Sequence, residues 1–235
     1  MTKQGVIEPT ASPWASNIVL AKKKDGSLRC CIDYRQLNEM TAKDAYPLPR
    51  IDMCMDALAG SAIYSTMDLK CGYFQIDVSP EDRCKTAFIT SRGMYAFRKL
   101  PFGLANAPAT FQRFMDLLLF KLSMDVCLAY LDDLVLHSKT PEEHLERLEE
   151  VFRRLQDVNL KLKPSKCSLM QTEISILGHR VSGSGITTDP SKTEVIDTWP
   201  VPENLRQLRG FMGLASYYRR FVRDFAKIAT PLNRL

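Results

Sequence analysis

The chain has 235 residues, 45% hydrophobic and 25% charged, with a formal net charge of +5; it is long enough to bury a sizeable core in one large domain or two small ones. No apolar run approaches the ~20 residues of a bilayer span, and Met1-Thr2-Lys3-Gln4-Gly5 leads into no apolar signal segment. Seven cysteines, an odd number without a Cys-x-x-Cys pair, support neither a zinc site nor a disulfide framework and indicate reduced thiols in an intracellular compartment.

The first fifty residues are punctuated by Pro9, Pro13, Pro47 and Pro49. Asn17 to Lys22 and Leu28 to Asp33 are apolar runs separated by Lys23-Lys24-Asp25-Gly26-Ser27, and Asp-Gly between β-type runs predicts a hairpin. Ile51 to Leu58 predicts a short helix ending at Gly60, and the alternation of Ser61 to Asp68 predicts a strand. Tyr73 to Val78 follows; Ser79-Pro80-Glu81-Asp82 then predicts a helical turn capped by Ser79. Thr86 to Thr90 and Met94 to Arg98 flank Arg92-Gly93 as a second hairpin. In Asn106 to Leu122 the apolar residues Phe111, Phe114, Met115, Leu118, Leu119 and Leu122 recur at helical spacing, a core-facing stripe with no cofactor role. Thr140-Pro141-Glu142-Glu143 reads as a capping box opening a helix with Leu145, Leu148, Phe152 and Leu155 inward. Strands return around Ile174 to Gly178 and His179 to Ser182, Ser182 to Gly185 is a flexible turn, Asp189-Pro190 opens a helix to Trp199, and a basic helix runs from Leu205 to Phe221. The order strand, helix, hairpin, helix, strand predicts an α+β fold with helices on one face of an antiparallel sheet. His137, His144 and His179 share no ligand spacing and read as ordinary core or surface residues.

The chemistry concentrates at Tyr130-Leu131-Asp132-Asp133, between the strand-like runs Val126 to Tyr130 and Leu134 to Leu136. Two adjacent aspartates at a hairpin tip repel each other unless a cation neutralises them. Asp68, at the end of its own strand, supplies a third carboxylate for an oxygen-rich Mg²⁺ site of the two-metal phosphoryl-transfer type. A Tyr-x-Asp-Asp string arises by chance in on the order of 2 such chains in 100, and Asp is common in turns. The weight therefore rests on the flanking strands, on Asp68 and on the basic segment Asn204 to Arg223, which holds five arginines and no acid. Such a stripe is the footprint of a phosphate-backbone partner, against the blander reading of a solvated helix face.

At this point the residues resemble a known family. Lys22-Lys23-Lys24-Asp25-Gly26, Asp33-Tyr34-Arg35-Gln36-Leu37-Asn38, Tyr46-Pro47-Leu48-Pro49, Asp68-Leu69-Lys70-Cys71-Gly72-Tyr73-Phe74-Gln75-Ile76, Leu100-Pro101-Phe102-Gly103 through Phe111-Gln112, Leu177-Gly178-His179 and Phe211 to Phe221 occur in the order found in reverse transcriptases of gypsy-type long-terminal-repeat retrotransposons. The chain also resembles retroviral reverse transcriptases more distantly. The resemblance implies a right-hand polymerase with fingers at 1–60, palm at 61–78, a fingers and palm hairpin at 79–105, palm again at 106–182 and thumb at 183–235. It implies RNA-directed DNA polymerase activity, with Asp68, Asp132 and Asp133 as catalytic and metal-binding residues for two Mg²⁺ ions, for which Mn²⁺ substitutes. Lys23 and Arg29 match positions that grip the triphosphate, with Lys22 an alternative to Lys23 because strand alternation decides between them. Tyr73 matches the gate against a 2′-hydroxyl, and Phe102 and Gly103 match the floor of the nucleotide pocket. Leu177, Gly178 and His179 match a primer grip; Arg206, Arg209, Arg219 and Arg220 match template–primer backbone contacts. Implied partners are an RNA template, a DNA or RNA primer and deoxynucleoside triphosphates, with ribonuclease H and integrase domains in a parent polyprotein, located in the cytoplasm, a virus-like particle or the nucleus. The family's lead-in helix is shortened here to Gly5-Val6-Ile7-Glu8-Pro9, and Leu131 stands where Ile, Val or Met is usual. The competing reading is a catalytically silent remnant or domesticated nucleic-acid-binding protein, for which intact aspartates and nucleotide pocket are unnecessary. An RNA-templated RNA polymerase would have no use for a bulky gate at Tyr73.

Overall fold

The computed structural model describes residues 1–22, 26, 28–122 and 124–234, so Lys23 lies outside the described residues, as does the side chain of Arg29. In chain order the elements are β1 Ile7–Pro9, β2 Ile18–Lys22, β3 Leu28–Ile32, α1 Arg35–Met40, α2 Ile51–Leu58, β4 Ile63–Asp68, β5 Phe88–Thr90, β6 Gly93–Phe97, α3 Ala107–Leu118, β7 Cys127–Tyr130, β8 Asp133–Ser138, α4 Pro141–Asp157, β9 Ser168–Gln171, β10 Glu173–Ile176, β11 His179–Ser182, β12 Gly185–Thr188, α5 Pro190–Asp197, α6 Leu205–Tyr217 and α7 Phe225–Asn233. Among the described residues the strands form four antiparallel sheets, ordered β7-β8-β4-β9, β10-β11-β12, β1-β6-β5 and β2-β3. This is the α+β class that the sequence pattern predicts.

The central sheet is covered on both faces. Alternation sends Met67, Cys127, Ala129, Leu134 and Leu136 to one side, where they pack with Phe111, Met115 and Leu119 and with Leu148, Val151 and Leu155 of α4. It sends Tyr64, Leu128 and Val135 to the other, onto Cys54, Met55 and Leu58 of α2 and onto Ile174, Ile176 and Val181. Helices on one face alone is thus corrected: α3 and α4 take one side, while α2 and a second sheet take the other. Each fully buried large side chain contributes about 1.5–3 kcal/mol.

Several boundaries differ from the sequence pattern. The α3 helix ends at Leu118, and Lys121 takes a left-handed φ of 68° that turns the chain toward β7. Its stripe continues into the turn, where Leu119 is still buried. Gly72 to Gln75 is a 3-10 turn that precedes an isolated bridge at Asp77, and the helical turn expected at Ser79 is a β-turn followed by a 3-10 turn over Arg83–Thr86. On α4, His144, Leu148, Val151 and Leu155 are buried while Leu145 is largely exposed and Phe152 partly so. Leu148 and Leu155 face inward as predicted, while His144 and Val151 take the inward positions expected for Leu145 and Phe152. The Thr140 hydroxyl accepts from the Glu143 amide as a capping box requires, but the Glu143 carboxylate reaches the Lys139 amide rather than Thr140.

The buried histidines are hydrogen-bonded inside the core. His144 bridges Ser65 (Nε2 to Oγ, 2.7 Å) and Ser138 (Nδ1 to Oγ, 2.8 Å), tying α4 to β4 and β8. His137 bridges the Ser61 hydroxyl and the Met124 carbonyl. Burial lowers both imidazoles below their ordinary 6.5, so below that pH the unfolded chain binds protons the folded chain does not, and stability falls as pH drops. The expected result of an NMR titration is a midpoint below 6.5 for both rings; a midpoint at or above 6.5 contradicts the buried neutral assignment.

Candidate active site

Three local features bring the acidic residues to one end of the central sheet. Asp68 closes β4 and Asp133 opens β8, and the antiparallel register pairs them directly. Both share the strand face of Tyr64 and Val135, and both line an open cleft of about 350 Å³ with Thr66, Lys166, Ser175 and Leu177. Asp132 lies beside them in the β7–β8 turn. That turn differs from the predicted tip: Tyr130 pairs with Asp133, so the two-residue loop is Leu131-Asp132. Asp133 belongs to the strand. Leu131 has a left-handed φ of 54°.

Asp132 Oδ1 is buried and, among the described residues, has no hydrogen-bond partner. Burial raises the Asp132 carboxyl above the usual carboxylate range, and Asp133 and Asp68 push the same way. The Asp133 carboxyl is raised as well, by partial burial and then by Asp68, although the side chain stays open to solvent. Crowded, undercompensated carboxylates of this kind are matched by a divalent cation. In this chain Lys166 supplies part of the countercharge, its Nζ 2.8 Å from Asp68 Oδ2. Among the described residues no three ligating side chains already share one ion-sized site. The donor set fits hard oxygen-seeking cations; Asp68 must exchange its lysine for one.

The surroundings are close-packed. A Cβ on Gly72 would lie 2.8 Å from Asp132 Oδ1 and 3.0 Å from Phe111 Cζ. Tyr73, nearly buried, packs on Phe102 and Phe111 with ring centroids 4.9 and 5.1 Å away, whereas Phe102 is 45% exposed. Gly103 has φ +97°, and its carbonyl accepts from Asn38 Nδ2. Gln112, fully buried, donates from Nε2 to Ala129 O and Asp116 Oδ1 and accepts the Leu131 amide on Oε1. The sequence marks Gln112 only as the end of the Leu100 to Gln112 motif and gives Lys166 no mark. A polar residue within the apolar stripe of α3 was the available signal for Gln112; nothing local marks Lys166, which only the fold brings to Asp68.

Leu177 and Gly178 form the tight β10–β11 turn, both with positive φ. The Tyr217 hydroxyl donates to Leu177 O at 2.5 Å, and the His179 ring packs among Tyr217, Tyr218 and Phe221. These contacts seat α6 on the turn. Arg206 and Arg209 project from α6 into solvent, and Arg219 is also exposed. Arg220 instead engages Asp56 of α2 at 2.9 Å, so it is a structural tie as well as a candidate phosphate contact.

The family profile described as reverse transcriptase (RNA-dependent DNA polymerase) matches residues 21–181. The chain is 42% identical over 99% of its length to the retrovirus-related Pol polyprotein from transposon 297 of Drosophila melanogaster, and 38% identical over 99% to that from transposon gypsy of the same species. It is 32% identical over 99% to the transposon Tf2-3 polyprotein of Schizosaccharomyces pombe. It spans about a fifth of the length of these relatives, 22%, 23% and 18% respectively. Among solved structures, a foamy viral protease-reverse transcriptase in complex with double-stranded DNA superposes with a TM-score of 0.91 at 27% identity, covering 100% of this chain and 41% of that one. Another, in complex with an RNA/DNA hybrid, gives 0.85 at 27%, covering 100% and 31%. No helix among the described residues is long and apolar enough to cross a membrane.

Proposed function

The chain belongs to the reverse transcriptase family, as the domain present in gypsy-type long-terminal-repeat retrotransposon Pol polyproteins, and on that premise we propose that it is an RNA-directed DNA polymerase. It extends a primer 3′-hydroxyl with deoxynucleotides on an RNA template. The observation that carries this reading is the Asp68–Asp133 register pair beside the buried, partnerless Asp132 oxygen. Asp68 and Asp132 would hold two Mg²⁺ ions, with Asp133 supporting. Bound there, such ions supply Lewis-acid activation of the 3′-hydroxyl and stabilise charge on the triphosphate.

The remaining steps belong to the chain. Lys23 and Arg29, the latter on β3, neutralise the triphosphate. Phe102 and Gly103 form the floor beneath the nucleotide, where the φ of +97° at Gly103 favours a residue without a side chain. Tyr73, wedged between Phe102 and Phe111, presents a rigid edge that excludes a ribose 2′-hydroxyl. The Leu177–His179 turn holds the primer end. In domain terms residues 1–60 and part of 79–105 are fingers, 61–78 and 106–182 palm, and 183–235 thumb. The α6 arginines bind phosphates along the duplex.

Primer extension on an RNA template tests the reading. The expected result is Mg²⁺-dependent incorporation of deoxynucleotides in preference to ribonucleotides, with the preference falling by about tenfold or more in Tyr73→Ala. Tight hybrid binding without incorporation favours the silent-remnant alternative. A Tyr73→Ala chain with unchanged sugar preference removes the gate. Arg206→Ala and Arg209→Ala are each expected to lower hybrid affinity and to reduce the slope of log affinity against log salt by about 1. An unchanged slope contradicts phosphate contact by that arginine.

A further inference from the structure

We propose that Gln112, oriented by Asp116 and Tyr46, is the positioning residue that aims the Asp132 carboxyl; the inference rests on the polymerase reading of the site. Gln112 sits on α3, fully buried, with all of its amide directions assigned by its neighbours. One terminal atom lies 2.9 Å from Asp116 Oδ1 and 3.0 Å from Ala129 O. A carboxylate and a carbonyl only accept, so that atom is the NH₂ group. The other is therefore the oxygen, and it receives the Leu131 N–H at 3.0 Å.

This bond falls where the turn is least able to hold itself. Leu131 has a φ of 54°, a left-handed conformation disfavoured for an L residue with a Cβ. The loop between β7 and β8 contains only Leu131 and Asp132, so it has no slack to absorb a change. If Leu131 relaxed, the peptide unit leading into Asp132 would rotate and carry the carboxyl with it. Gln112 grips the turn from both sides, through Ala129 O before it and the Leu131 amide within it. Gly72 and the Phe111 ring close the third side against Asp132 Oδ1.

Asp116 locks the amide against a flip. It lies one helical turn beyond Gln112, at the i+4 position. Without its carboxylate the amide could invert and present NH₂ to the Leu131 N–H, donor against donor. Asp116 is itself held: its Oδ2 accepts the Tyr46 hydroxyl at 2.7 Å, and the Tyr46 ring lies under the Arg113 guanidinium at 4.7 Å. Arg113 in turn bonds both oxygens of Asp44 at 2.8 Å. A continuous hydrogen-bonded chain thus runs from the Tyr46-Pro47-Leu48-Pro49 segment, through Asp116 and Gln112, to the turn that carries Asp132.

The test reads both the turn and the chemistry in 235-residue chains with Gln112→Met, Asp116→Leu, Asp116→Asn and the double change Gln112→Met/Asp116→Leu. NMR hydrogen exchange follows the Leu131 amide; single-nucleotide incorporation gives kcat and KM. In Gln112→Met the Leu131 amide is expected to exchange about tenfold faster or more. Its kcat is expected to fall about 100-fold, with the nucleotide KM changed by less than about threefold. The double variant is expected within about twofold of Gln112→Met, because both changes break one chain. Asp116→Asn is expected to keep most of the activity, since its carbonyl can still accept from Gln112. Unchanged Leu131 exchange in Gln112→Met overturns the proposal, as do multiplicative losses in the double variant or an equal loss in Asp116→Asn and Asp116→Leu. Should Gln112→Met fail to fold, Asp116→Leu at its half-buried position carries the same exchange readout. An inactive parent chain defeats the polymerase reading alone, because Leu131 exchange still decides whether Gln112 holds the turn.

Discussion

Asp132→Asn is expected to lower Mg²⁺-dependent nucleotide incorporation by about a thousandfold or more while leaving the protein folded and able to bind an RNA/DNA hybrid. The size follows from the role. Metal-assisted charge stabilisation is worth several kcal/mol, and each factor of ten in rate is about 1.4 kcal/mol. The amide keeps the shape of the carboxyl but removes its charge, and with it the ability to hold a divalent cation. The metal-free protein should not suffer. Asp132 Oδ1 is buried without a partner and its carboxyl is raised by burial and by Asp133 and Asp68, so neutralising it relieves repulsion. Thermal unfolding in chelator should show Asp132→Asn at or above the parent's midpoint. A variant that retains substantial incorporation places the essential carboxylate elsewhere, and a variant that unfolds makes Asp132 a structural residue.

Gly72→Ala is expected to cost about 100-fold in kcat through displacement of the same carboxyl. A methyl group there meets Asp132 Oδ1 at 2.8 Å and Phe111 Cζ at 3.0 Å, both inside normal contact. Phe111 is fully buried in the main core and has little room to retreat, whereas the Asp132 carboxyl can rotate about its side-chain bonds and is the group that must give way. Overpacking of this kind destabilises by about 1–3 kcal/mol, so the chain should still fold. The discriminating measurement is kcat against nucleotide KM together with the unfolding midpoint. A large fall in kcat with a modest shift in midpoint fits a displaced carboxyl. Unchanged kcat shows that Asp132 does not need this approach to Gly72.

Much of this arrangement is legible in the sequence, and the misses fall where local pattern is absent or overridden by partners distant along the chain. The hairpins β5–β6 and β7–β8, the helix α3 and the strand that ends on Asp68 follow from period, Gly-containing turns and apolar spacing. The α+β class follows from their order. Side-chain register is where local pattern fails. The two aspartates read as a tip pair, yet Leu131 enters the turn and Asp133 joins β8, because Gln112 captures the Leu131 amide from a helix distant in sequence. The inner face of α4 starts on His144, since Ser65 and Ser138 offer it buried partners; hydrophobic counting favours Leu145 and Phe152 instead. Strand β9 shows no alternation because all of its residues are exposed, and β1 is a three-residue strand held by pairing to β6. Helix α1 lacks a side-chain cap. Helix α7 begins after Asp224 in a left-handed conformation and contains Pro231, a residue that argues against a helix in isolation. At the site, the acidic triad and the arginine-rich segment Asn204 to Arg223 are visible as composition and spacing. The Lys166 ion pair and the Gln112 clamp exist only once the chain is folded.

The central claim is that Asp68 and Asp132, far apart along the chain, jointly hold two divalent cations beside a nucleotide. Anomalous diffraction from a crystal of the protein with template–primer, an incoming deoxynucleotide and Mn²⁺ tests it most directly. The account predicts two Mn²⁺ peaks in contact with Asp68 and Asp132, with Lys166 displaced from Asp68 Oδ2. A nucleotide bound with no ion at these carboxylates, and Lys166 still paired to Asp68, would contradict it.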